Sequence, residues 1–285
     1  NGSIRAVSPS PEAEPPPPTD VSPPDSVSTR DFQDGTDQAE TPTTVALPAT
    51  ISDAATKLGV RVVTRTVESD NPPQNTVYLD SRHVTTSGTV RSDVLSVIRS
   101  IPNMALVLDR TSFSSPGLKT LKQLQTLSGL SLRHTPLTGD GVGELKEFAK
   151  LRWIDLRNTQ VTFEATLDLF LDTSLESIQF PGGHLQPGEI RLNQRCTDSD
   201  VGQLSSLPAA SIRSLNLADS QISDTGLAEL RRLTRLESLD LSGTPVTDSG
   251  LASLAAFSEL AQLNLADTSI GDHGLASIAI LDNLA

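Results

Sequence analysis

Leu236, Leu239, Leu241, Val246, Leu251, Leu254 and Phe257 set an apolar pattern that neighbouring stretches repeat. Moved forward by 24 residues, it falls on Leu260, Leu263, Leu265, Ile270, Leu275, Ile278 and Leu281. Moved back by the same step, it falls on Ile212, Leu215, Leu217, Ile222, Leu227, Leu230 and Leu233. Within one copy the period changes. Leu239 and Leu241 alternate with Ser238, Asp240 and Ser242, which predicts a short strand with one buried face. Leu251, Leu254 and Phe257 follow at spacings of three, which suits one stripe of a short helix. Between them, Thr247-Asp248-Ser249-Gly250 offers oxygens to the unpaired N–H groups of a helix start, and Asp248 suits its positive end. One copy has too few apolar side chains to offset the cost of ordering its own backbone. Copies must therefore stack and share a core, strand beside strand, as a right-handed parallel solenoid.

Earlier copies begin at Asn103, Leu127, Leu151 and Leu175. The copy from Leu151 replaces the Asp-x-Gly turn with Phe163-Glu164-Ala165, and Leu167, Phe170 and Leu171 predict a helix shifted by about one residue. The copy from Leu175 is interrupted after Phe180, and Thr197-Asp198-Ser199-Asp200-Val201 restores the register. The extra residues, 183–193, are expected to emerge as a loop on one face, where partners are often touched. Residues 49–102 are expected to cap the solenoid: a helix over 51–58, strands near 60–67 and 76–79 around a turn at Asn71-Pro72-Pro73, and a helix carrying Val94, Val97, Ile98 and Ile101. Residues 1–48 hold ten of the nineteen prolines, two basic and eight acidic side chains. Such a stretch cannot bury enough surface to fold and is expected to be a disordered, acidic linker, or else a ligand for a proline-binding domain. The chain opens on Asn1, and Leu284-Ala285 start another copy, so it reads as a piece of a longer chain.

The segments Thr244–Leu251, Ser220–Leu227 and Thr268–Leu275, all of the form [TS]-x-[VI]-x-D-x-G-L, resemble the short, threonine-containing leucine-rich repeats common in bacterial repeat proteins. Ala55-Thr56-Lys57-Leu58-Gly59-Val60, followed by a Pro-containing turn and Val77-Tyr78-Leu79-Asp80, is similar to the N-terminal cap of that group. The resemblance covers about residues 50–285 and implies a horseshoe with a parallel β-sheet on its concave face, used for binding. More distantly, the repeats resemble those of F-box-type ubiquitin-ligase adaptors. There the position held here by Thr135, Thr159, Ser220, Thr244 and Thr268 is usually Cys. A small hydroxyl at that position is expected to bond the backbone of the neighbouring coil.

The formal charge of −13 provides no basic stripe for phosphates, so nucleic acid is not an expected partner. One cysteine cannot form an intrachain disulfide, and no apolar run approaches the length of a membrane span. Catalytic signatures are absent: there is no H-E-x-x-H, G-x-S-x-G, G-x-x-x-x-G-K-[ST] or C-x-x-C. Gly139-Asp140-Gly141-Val142-Gly143 and Asp198-Ser199-Asp200 coincide with repeat turns and lack the rest of a phosphate or calcium loop. His83, His134, His184 and His273 are scattered over different coils and read as surface residues, and Cys196 aligns with inward Val246 and Ile222. No enzyme, cofactor or metal is expected.

The sheet face remains. Residues flanking the inward leucines are bland in the last copies, where Ser214, Asn216, Ser238, Ser242 and Ala266 fall. Earlier copies place Asp109, Arg133, Trp153, Asp155, Arg157 and Gln179 there. Trp and Arg are the residue types most enriched at binding hot spots, so these six are the candidate partner site. The competing expectation is that Trp153 merely stacks on Arg133 or Arg157. His184 and Arg191 of the insertion are secondary candidates. The expected function is a non-catalytic protein-binding module, monomeric, with the cell envelope, periplasm or exterior favoured over the cytoplasm by the acidic spacer. A ubiquitin-ligase adaptor is the alternative.

Overall fold

The computed structural model describes residues 47–65, 74–208, 211–279, 281, 283 and 284. The linker expected over 1–48, apart from its last two residues, and the turn at Asn71-Pro72-Pro73 lie outside them. The chain starts with α1 (Ala49–Lys57), then β1 (Arg61–Arg65) and β2 (Gln74–Tyr78), which pair antiparallel with Val63 opposite Thr76. A single 3-10 turn, Ser81–His83, and α2 (Ser92–Ile98) complete this end. Coils then follow as β3 (Met104–Val107), α3 (Ser115–Leu121), β4 (Leu127–Ser131), α4 (Gly139–Val142), β5 (Trp153–Asp155) and α5 (Phe163–Leu171). Next come β6 (Ser177–Phe180), β7 (Gly183–Gln186), β8 (Gly188–Leu192), α6 (Asp198–Gln203), β9 (Ile212–Asn216) and α7 (Asp224–Glu229). The last are β10 (Ser238–Asp240), α8 (Asp248–Leu251), β11 (Gln262–Asn264) and α9 (Asp272–Ile278).

Among the described residues, the eleven strands lie in one sheet in chain order. From β2 onward the register aligns one inward residue per strand: Val77, Leu106, Leu130, Ile154, Ile178, Leu185, Ile190, Leu215, Leu239 and Leu263. Through β10 these residues are buried in one core that also takes the helix residues Val94, Leu118, Leu167, Leu227 and Leu254. Leu263, on the last strand, is partly buried against it. The stacking inferred from the 24-residue period is therefore present. In α5, Phe163, Thr166, Leu167 and Leu169 face the core, whereas Leu171 points out.

The insertion is not a loop. β7 pairs antiparallel with β6, β8 pairs antiparallel with β7, and β8 then runs parallel to β9. Two reversals restore the strand direction, so the sheet continues without an edge. The buried Leu185 and Ile190 complete the inward row, and Pro187, ahead of the left-handed Gly188 (φ 82°), turns the hairpin.

Six coils leave their strands at a left-handed residue: Arg110, His134, Asn158, Asp219, Gly243 and Asp267 all have φ between 55° and 66°. The residue that follows is Thr or Ser. Thr111, Thr135, Thr159, Thr244 and Thr268 donate through Oγ1 to the carbonyl three residues back, at 2.6–2.7 Å. These bonds close the turn within one coil and do not reach the neighbouring coil, which corrects the sequence-based expectation. The hydroxyl of Ser220 is buried without a partner.

Among the side-chain bonds between coils are those of three turn aspartates, Asp198, Asp224 and Asp248. Asp198 accepts from the N–H (2.7 Å) and hydroxyl (2.5 Å) of Ser223, and Asp224 from those of Thr247 (2.8 and 2.7 Å). Asp248 accepts from the N–H of Gly271 at 2.7 Å. Each aspartate thus caps the next coil's helix, and the glycine of that next helix leaves it room. A Cβ on Gly226, Gly250 or Gly274 would stand 2.3–2.4 Å from the carboxylate oxygen.

Two side chains with candidate chemistry, His83 and Cys196, are buried. His83 is 1 % exposed and ties the cap together: its Nδ1 accepts from the N–H of Asp80 at 3.0 Å and its Nε2 lies 3.0 Å from the carbonyl of Leu58. It is not the surface residue expected. Cys196, as its alignment with Val246 implied, is in the core, donating its thiol to the carbonyl of Gly182 at 3.2 Å. Burial, with help from Asp200, pushes the Cys196 thiol up to about 12. At pH 8 the folded protein should not react with Ellman's reagent, and one thiol should appear on unfolding. Rapid labelling of the native chain would contradict this burial.

Candidate functional site

Outward residues on the strands form rows across the sheet, set by the same register as the core. One row reads Tyr78, Val107, Ser131, Asp155, Gln179, His184, Arg191, Asn216, Asp240 and Asn264. The row beside it includes Ala105, Gly129, Trp153 and Ser177, then Glu189, Ser214, Ser238 and Gln262. Because β7 and β8 belong to the sheet, His184 stands directly beside Gln179, and Arg191 beside His184. What the sequence separated into a sheet site and a loop site is one surface.

Trp153 is half-buried, with its indole laid over Gly129 on the adjacent strand. A Cβ on Gly129 would sit 2.1 Å from Trp153 Cε2, so only glycine gives the ring this place. Trp153 is stacked on neither arginine. Among the described residues the cation–π contact is Arg61 over Tyr78, at 5.2 Å. Arg157 instead folds back on Asp155, with Nη2 2.7 Å from Oδ2 and Nε 3.0 Å from Oδ1. The Asp155 hydrogen bond holds the Arg157 guanidinium firmly protonated, against the opposing effect of burial. Asp155 is only 7 % exposed under this cover, so it serves as the anchor of Arg157 and not as an open carboxylate. Asp109 anchors Arg133 in a similar way. It accepts from the Ser131 hydroxyl (2.6 Å) and the Arg133 N–H (2.9 Å), with Arg133 Nε at 3.6 Å.

Gln179 lies between these pairs and the hairpin, and its side-chain oxygen is buried without a hydrogen-bond partner. Beyond it, half-buried His184 places Nε2 2.8 Å from the Ser177 hydroxyl. Burial lowers the His184 pKa below the usual 6.5; Glu189 and Asp155 oppose the shift, and Arg191 and Arg157 reinforce it. Glu189 pairs with Arg191 and accepts from Gln186 Nε2 at 2.5 Å. Burial raises the Glu189 pKa, but these two partners outweigh it and the net shift is downward.

Ser177, Gln186 and Glu189 were missed from the sequence. Ser177 occupies the ordinary flanking position of its strand, and the signal for the other two was the alternation of Leu185 and Ile190 around Pro187-Gly188. No group of three or more His, Cys, Asp or Glu side chains among the described residues is arranged to hold a metal ion. No described helix is long and apolar enough to cross a membrane.

A family model described as Leucine Rich repeat matches residues 209–230 and 233–255. No curated protein sequence matches the chain. Among solved structures, internalin C2 from Listeria monocytogenes is similar at 23 % identity, over 73 % of this chain and 77 % of its own, with a TM-score of 0.37. The internalin InlF from the same organism is similar at 17 % identity, over 67 % of this chain and 69 % of its own, with a TM-score of 0.38. Two copies match the leucine-rich repeat in sequence, and the described residues repeat the same strand–turn–helix coil along one sheet, so the fold is that of a leucine-rich-repeat solenoid.

Proposed function

We propose that the sheet surface over β4–β8 recognises a protein partner, without catalysis. The observation that carries this reading is Trp153, held flat on Gly129 beside the continuous row Asp155, Gln179, His184 and Arg191. A large, half-exposed aromatic ring held rigid by its support loses little entropy on binding, and polar neighbours set orientation. The arginines face solvent with their charges already matched by Asp109, Asp155 and Glu189. The surface therefore suits a partner of mixed polar and apolar character over a strongly charged polymer. No observation favours the ubiquitin-ligase adaptor. The acidic, proline-rich first 48 residues favour a module spaced away from an envelope.

The test compares proteins captured by the immobilised wild type with those captured by Trp153→Ala and Arg157→Ala. A control variant, Arg231→Ala, changes an exposed 3-10 turn on the helical side. Captured partners should fall by about tenfold or more with Trp153→Ala, on the scale of a hot-spot residue, and stay unchanged in the control. Equal capture by the Trp153→Ala variant would remove this surface as the binding site.

A further inference from the structure

His184 stands in the middle of this surface, and an imidazole can change charge near neutral pH. The ring rises from β7 with its Nε2 on the hydroxyl of Ser177 in β6, and Ser177 is the register partner of Trp153 in β5. The charged groups that bear on it are Asp155 and Arg157 at the end of β5, and Glu189 and Arg191 on β8. From β6 it meets the uncharged Ser177 and Gln179. The two carboxylates and two guanidiniums cancel, and each is already engaged with its own partner: Asp155 with Arg157, Glu189 with Arg191. An imidazolium here would stand half-buried between two arginines with no carboxylate free to receive it. With both ring nitrogens donating, Ser177 could only accept, so its hydroxyl would have to be oriented toward another acceptor or water.

We infer that His184 is a pH-responsive element of the recognition surface, whose protonation reverses the roles available to Ser177 and alters the setting of Trp153. The neutral surface has matched charges; the acid form carries one extra positive charge at its centre. A partner that covers the ring further favours the neutral form, so by linkage it binds more weakly in acid. This meaning for binding rests on the recognition proposed above, but the switch itself does not.

Trp153 is the only tryptophan in the chain, so its fluorescence reports on this surface without any partner. Emission of the full chain is followed from pH 8 to pH 4.5, with far-UV circular dichroism confirming the fold at each step. The same titration is run on His184→Gln and Ser177→Ala, with histidine Hε1 resonances assigned by NMR. The wild type should show a change in emission that tracks the His184 resonance, with a midpoint below 6.5. His184→Gln should be flat over that range. Ser177→Ala, lacking the hydroxyl that can donate to the neutral ring, should titrate at higher pH. A wild-type emission that ignores pH, an equal response in His184→Gln, or an unmoved midpoint in Ser177→Ala would each overturn the proposal. None of these results would bear on whether the surface binds a protein, and loss of capture by Trp153→Ala would not bear on the titration.

Discussion

Replacing Leu185 with alanine should destabilise the protein by about 2–5 kcal/mol, the cost of emptying a fully enclosed leucine site. The residue lies in the stretch that interrupts the repeat, where a loop would give a cost near zero. In the structure it is fully buried and pairs with Ile178 on one side and Ile190 on the other. Equilibrium urea unfolding measures the change, with Pro187→Ala at the exposed hairpin turn as the comparison. A loss below about 0.5 kcal/mol in Leu185→Ala, the size typical of surface changes, would place the insertion outside the core.

The second large effect is a change of sign. Gly250 lies within α8, where alanine would ordinarily stabilise a helix by about 0.8–1 kcal/mol. Its added Cβ would stand 2.3 Å from Asp224 Oδ1, which cannot retreat without losing both hydrogen bonds to Thr247. Gly250→Ala should therefore destabilise, by about 1–3 kcal/mol for overpacking of this kind. Asp224→Ala removes the obstacle together with two bonds to a charged acceptor, a loss of about 1.5–3 kcal/mol. In the double variant the alanine meets nothing from the carboxylate. The two costs should then fall short of additivity by at least about 1 kcal/mol, as expected for residues in contact. Additive costs, or a stabilising Gly250→Ala, would remove the account of why the repeat carries Asp-x-Gly.

That motif marks where reading residues in order stops being sufficient. The period, the strand and helix of each coil and the inward leucines follow from spacing alone, because burial is decided by which face a residue occupies. Asp248 was placed at a helix start for the same reason. Its bond to Gly271 in the next coil could not be seen, since that contact depends on how coils stack. The threonines failed in the opposite direction: a left-handed residue before each one turns the hydroxyl back on its own coil. The insertion carries a hairpin signal, Leu185 and Ile190 on either side of Pro187-Gly188, that a surplus over the 24-residue period does not reveal.

At the candidate site, the residue types on the exposed ribbon were legible but their pairing was not. Trp153 and Arg157 both fall on the ribbon, but Arg157 turns to Asp155 and not to the indole. What decides the state of the indole lies on another strand, where a missing Cβ at Gly129 gives it support. On its own strand, Asp155 takes both arms of the Arg157 fork. His184 and Arg191 came to the same surface only because two extra strands, not a loop, carry them.

The central claim is that one unbroken sheet runs through the insertion, making β5–β8 a single surface. Backbone NOEs on deuterated protein test it most directly, at the strand pairs Ile178–Leu185, Leu185–Ile190 and Ile190–Leu215. Cross-strand contacts should appear at all three pairs, antiparallel for the first two and parallel for the last. Contacts within the hairpin but none from Leu185 to Ile178 or from Ile190 to Leu215 would contradict the account.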